Sequence, residues 1–150
     1  MQQNKINILV VDDEILIRDL LFDFFGSRGH MVHLAENGRV AVDMLEEVDF
    51  QVALLDLKMP EMDGLEVMAI LAEKKPFVPV IIMTAFPSLD SAIESIRTGV
   101  FEYIIKPFKI ANLAESVIRA AAENQARIKA HYLRCGSPAN CDGGADQVSK

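Results

Sequence analysis

Residues 51–74 read QVALLDLKMPEMDGLEVMAILAEK. After Gln51 the segment starts as an apolar run through Leu57, broken by Asp56 near its end. A strand apolar on both faces must be covered on both sides, as in a parallel sheet flanked by helices. MPEMDG, 59–64, reads as a turn in which Gly64 supplies a permissive backbone. An amphipathic segment at 64–74 then follows at helical spacing, with Met68 in its core stripe. The same unit recurs on either side. INILVV (6–11), MVHLA (31–35), VPVIIMTA (78–85) and FEYII (101–105) are followed by helix-period segments at 15–25, 38–48, 88–98 and 110–123. In the first helix Ile15, Leu16, Leu20, Leu21, Phe24 and Phe25 form the stripe, and Gly26 and Gly29 are expected to close it; Asn37-Gly38 opens the second. Strands alternating with helices specify a doubly wound α/β sheet with right-handed crossovers.

Composition agrees with one folded domain. The chain has 150 residues, 51% hydrophobic and 25% charged, enough to form a core without disulfides or metal. The net charge of −7 repels phosphate backbones, so direct nucleic-acid binding is not expected. No stretch approaches the roughly 18 apolar residues of a membrane span, and the start MQQNKIN is too polar for a secretory signal, which points to the cytoplasm. Cys135 and Cys141 make a poor zinc site and are expected as reduced thiols. His30, His33 and His131 have no second ligand near them in sequence.

In such a sheet the functional groups collect at the carboxyl ends of the strands. Strand one ends in Asp12-Asp13-Glu14, strand three at Asp56, strand four at Thr84 and strand five at Lys106-Pro107. A single Asp after a strand is often no more than a helix cap. Three carboxylates, a hydroxyl and a lysine on one edge are a site. Clustered carboxylates raise one another's pKa unless a cation relieves them, and a hard Mg²⁺ with oxygen ligands is the natural partner. Asp13 and Asp56 suit direct ligation, Asp12 ligation through water, and a backbone carbonyl at Lys58 completes the protein's share. Asp56, on a central strand, is the best-placed nucleophile toward phosphorus. Lys106 would neutralise charge and Thr84 would hydrogen-bond a phosphoryl oxygen. Lys58 and Phe86 flank the expected phosphate, either tuning its hydrolysis or serving as ordinary loop residues.

ILVVDDE, VALLDLKMPEMDG, VIIMTA and YIIKPF, in this order and spacing, resemble the receiver domain of two-component response regulators over about residues 5–122. TAFPSLDSA and GVFEYIIKPF look most like receivers attached to σ54-dependent activators. The resemblance implies a flavodoxin-like five-stranded parallel sheet of order 2-1-3-4-5 with five helices. It implies that Asp56 is the phosphoacceptor, Asp12 and Asp13 the metal-binding acids, and Thr84 and Lys106 the switch residues. Tyr103 falls at the aromatic switch position, or is a half-packed surface aromatic. The Lys106-Pro107 bond is expected to be cis. The expected donor is a sensor histidine kinase or a phosphotransfer protein. The output surface is the fourth helix, fifth strand and fifth helix, through which the chain would meet a partner or a second copy of itself.

Two rivals fit less well. A haloacid-dehalogenase-type phosphatase needs a second Asp two residues after the nucleophile, where Lys58 stands. A constitutive binding module would have no need to keep Asp12, Asp13, Asp56, Thr84 and Lys106 together. A glycine-rich nucleotide loop after strand one is absent, since DDEIL stands there. Beyond the receiver, 123–134 is expected to extend the last helix, frayed or as a dimerising linker, and 135–150 to be a disordered tail.

Overall fold

The computed structural model describes residues 5–136. Five strands, β1 (Asn7–Val11), β2 (Met31–Ala35), β3 (Val52–Asp56), β4 (Val80–Thr84) and β5 (Glu102–Ile105), alternate with five helices. The helices are α1 (Ile15–Ser27), α2 (Gly38–Leu45), α3 (Gly64–Lys74), α4 (Leu89–Thr98) and α5 (Ile110–Cys135). The sheet is parallel throughout, in the order β2-β1-β3-β4-β5. The apolar runs at 6–11, 51–57 and 78–85 become its three central strands. Every residue of β3 and β4 is buried, whereas edge strands β2 and β5 are mostly half-exposed.

Each face of the sheet carries its own core. Leu9, Val11, Ala53, Leu55 and Ile82 pack under Ala41 and Leu45 of α2 and Val67, Met68 and Leu71 of α3. On the other face Ile8, Val10, Leu54, Ile81 and Met83 meet Leu21 and Phe25 of α1 and Leu113, Val117 and Ala120 of α5. Full burial of each large side chain contributes about 1.5–3 kcal/mol, so the alternation along each central strand anchors both layers. α4 lies beside α3. Ser95 is its only buried residue.

Several local expectations are corrected. Only Leu21 and Phe25 of the α1 stripe are buried; Ile15, Leu16 and Leu20 stay exposed, because the stripe is wider than the face the sheet can cover. Gly26 lies within α1, and Gly29, at φ 89°, makes the turn that follows. α2 ends at Leu45, its last turn tightening into Glu46 N–H to Asp43 and Glu47 N–H to Met44 carbonyl bonds. Glu46 and Glu47 therefore follow the helix. In the 59–64 turn the left-handed residue is Glu61, at φ 70°. Gly64 is required for space instead: a Cβ there would run into the Asp56 carbonyl oxygen.

α5 continues past Glu123 against the α3–β4 loop. Asn124, buried, donates from Nδ2 to the Phe77 carbonyl at 2.8 Å, and the rings of Phe77 and His131 lie 5.0 Å apart. Cys135 is disulfide-bonded, not the reduced thiol expected from sequence. Gly136, at φ 79°, turns the chain directly after it. Cys141 and the expected disordered tail lie outside the described residues. Among the described residues no helix is long and apolar enough to cross a membrane.

Candidate functional site

Parallel pairing brings the site together. Val11 pairs with Leu55, so Asp12 leaves β1 beside Asp56 at the tip of β3. Asp56 pairs with Met83, and Thr84 with Ile105, so β4 and β5 deliver Thr84 and Lys106 to the same edge. Asp12, Asp13, Glu14 and Asp56 each offer a carboxylate oxygen, all within 4.8 Å of one another. Asp12 and Asp56 are buried, while Asp13 and Glu14 face solvent.

Lys106 is the cation facing this cluster. Its Nζ lies 2.7 Å from Asp12 Oδ2, 3.0 Å from Glu14 Oε1 and 3.6 Å from Asp56 Oδ2, with 8% of its side chain exposed. The Lys106-Pro107 bond is cis. Burial by itself would lower the Lys106 pKa, but the hydrogen bonds to Asp12 and Glu14 and the charges of Asp12 and Asp56 outweigh it and raise it. The second oxygen of Asp12 accepts the Glu14 N–H at 2.9 Å, and Arg18 Nη1 holds the Asp12 carbonyl at 2.8 Å.

One lysine does not neutralise the cluster. Asp56 is pushed up to about 7 from 3.8, by burial first and then by the Asp12 charge; Lys106 and the Lys58 N–H oppose the rise. That N–H reaches Asp56 Oδ1 at 3.4 Å. A carboxylate held near neutrality among other oxygen ligands is the environment a hard divalent cation relieves, so these residues fit Mg²⁺.

Thr84 is fully buried, its Oγ1 accepting the Phe86 N–H at 3.0 Å. Phe86 itself is exposed, and with Lys58, Met59 and Ser91 it lines a cleft of about 630 Å³ beside the site. Tyr103 is half-buried against the α2–α3 core, and its hydroxyl lies 3.0 Å from Ser91 Oγ on α4. Two partnerships escape sequence reasoning. Glu14 sits in the acidic run but gives no sign of reaching across to Lys106, and nothing twelve residues earlier marks Ser91 as the partner of Tyr103. The histidines stay apart from this site: His30 is buried with Nδ1 accepting the Ile6 N–H at 3.4 Å, and His33 packs on Phe50. His30's pKa is lowered by burial and then by Arg28.

The chain is similar to known proteins over most of its length. The response regulator receiver domain family matches residues 8–118. Regulatory protein AtoC of Escherichia coli is 40% identical over 113 residues, covering 75% of this chain and 24% of AtoC. Transcriptional regulatory protein ZraR of the same species is 38% identical over 122 residues, covering 81% and 28%. This chain thus spans less than a third of the length of either relative. A CheY-like response regulator receiver domain protein from Methanospirillum hungatei superposes with a TM-score of 0.79 at 27% identity, covering 83% of this chain and 99% of that one. NtrX from Brucella abortus gives 0.80 at 27% identity, covering 87% and 30%. Receiver domains are signalling switches and not enzymes that turn over external substrates. The match over most of the chain, on this sheet order, makes the chain a member of the response regulator receiver domain family of two-component signalling.

Proposed function

We propose that Asp56 accepts a phosphoryl group from a phosphohistidine of a sensor kinase or phosphotransfer protein, in the cytoplasm, in a Mg²⁺-dependent reaction. The observation that carries this is the position of the Lys106 ammonium, 3.6 Å from a buried, strand-end carboxylate and tied to two further acids. The Asp56 oxygen attacks phosphorus, the phosphorus–nitrogen bond of the donor breaks, and its electron pair leaves with the imidazole nitrogen. Asp13 and Asp56 would hold the metal directly, Asp12 through water, and the Lys58 carbonyl would complete the set. Bound Mg²⁺ would supply charge neutralisation that favours ionised Asp56.

The acyl phosphate adds nearly two charges and new acceptor oxygens. Lys106 pairs with one oxygen and the Thr84 O–H donates to another, while Thr84 Oγ1 still faces the Phe86 N–H. Shifting a two-state equilibrium from 1:99 to 99:1 needs about 5.5 kcal/mol. A few charge-assisted hydrogen bonds of roughly 1.5–3 kcal/mol each are sufficient. The responding surface is α4, β5 and α5, where Leu89, Ile96 and Ile105 are exposed, suited to a partner or a second copy of this chain. Tyr103, on β5 and bonded to α4, is the aromatic switch of that surface. Relatives named as transcriptional regulators, ZraR and NtrC, support an output in transcription, of the σ54-activator type, delivered by a partner or effector domain. Incubation with acetyl phosphate and Mg²⁺ should add the mass of one phosphoryl group to the wild type and none to Asp56→Asn. Equal labelling of the variant refutes the assignment.

A further inference from the structure

α4 is the least anchored helix of the fold, since Ser95 is its only buried residue and its large apolar residues Leu89, Ile93 and Ile96 are exposed. Its first turn is nevertheless highly organised. Ser88 caps the helix by accepting the Ser91 N–H at 3.1 Å, and its hydroxyl donates to Ser91 Oγ at 2.9 Å. Ser91 Oγ also lies 3.1 Å from the Ser88 carbonyl and 3.0 Å from the Tyr103 hydroxyl. The last contact is the one that leaves the helix. It ties the start of α4 to a strand whose Tyr103 pairs with Ile82, two residues before Thr84.

We propose that Ser91 is a positioning residue of the switch: its hydroxyl latches the Tyr103 phenol to the first turn of α4 in the unmodified chain. The loop linking the site to this latch is short. Thr84 Oγ1 holds the Phe86 N–H, and two residues later Ser88 caps α4. A group that draws the Thr84 hydroxyl toward Asp56 therefore pulls on the segment whose far end carries Ser91. Breaking the Ser91–Tyr103 bond frees the phenol and the helix start together. The bond belongs to the unmodified arrangement, so its loss shifts the population toward the modified one. A neutral hydrogen bond of about 1 kcal/mol corresponds to roughly a fivefold change in that equilibrium. The coupling to phosphorylation rests on the function proposed above; the latch itself does not.

The test separates the two. The chain is labelled with 3-fluorotyrosine, Tyr103→Phe identifies the Tyr103 fluorine resonance, and exposed Tyr132 is the internal reference. Without donor or metal, Ser91→Ala should shift the Tyr103 resonance and leave Tyr132 unmoved, while Ser91→Thr, which keeps the hydroxyl, should stay near the wild type. An unmoved Tyr103 resonance in Ser91→Ala overturns the latch whether or not Asp56 is ever phosphorylated. With acetyl phosphate and Mg²⁺, Ser91→Ala should be labelled about fivefold faster than the wild type. An altered resonance with an unaltered labelling rate overturns the coupling. Failure of the wild type to label refutes the phosphoacceptor reading and, with it, the coupling.

Discussion

Asp56→Asn should stabilise the metal-free protein at alkaline pH. Asp56 is buried, and its carboxyl is pushed up to about 7 from 3.8. Its folded pKa lies above the unfolded one, so the native state holds a proton the unfolded chain has released between these two values. Stability therefore falls as pH rises from about 4 to about 7 and is level above. At about 1.4 kcal/mol per pH unit, the full cost of ionising Asp56 is about 4 kcal/mol at pH 8. Asparagine keeps an oxygen for the Lys58 N–H and removes this cost. Lys106 retains Asp12 and Glu14. Urea unfolding in chelator should show the variant more stable by about 4 kcal/mol at pH 8 and by less than about 2 kcal/mol at pH 5. In a thermal melt at pH 8 this is roughly 10 °C. Excess Mg²⁺ should narrow the gap by binding the native wild type more tightly than the variant. A variant no more stable than the wild type at pH 8, or a gap that does not shrink at pH 5, refutes the electrostatic reasoning.

Other perturbations test other parts of the site. Lys106→Ala leaves buried Asp12 without its ammonium and should cost about 3 kcal/mol in chelator, read by urea titration; a change under 1 kcal/mol refutes the pairing. Gly64→Ala drives a Cβ into the Asp56 carbonyl and should cost about 2 kcal/mol while slowing acetyl phosphate labelling, because the loop carrying Lys58 must move. Asn124→Ala removes the bond to the Phe77 carbonyl and should cost about 1 kcal/mol, with faster amide exchange in α5 beyond Glu123 than before it.

The sequence alone determined the alternation of strands and helices, the buried central strands and the gathering of Asp12, Asp13, Asp56, Thr84 and Lys106 at one edge. These follow from local rules: an apolar run needs cover on both faces, and parallel strands all present their carboxyl ends to the same side. Element ends were less legible, as at α2, where the last turn tightens before Glu46. The breadth of the α1 stripe also overstated its burial, because periodicity records which residues are apolar and not how much surface the sheet has to offer. Only the tertiary structure decided what each polar group touches. Glu14 reaches Lys106 across ninety-two positions, Ser91 reaches Tyr103 across twelve, and Gly64 is needed because the Asp56 carbonyl occupies the space a side chain would take. Such contacts are set by the distance between elements after packing, and no periodicity along the chain encodes that distance.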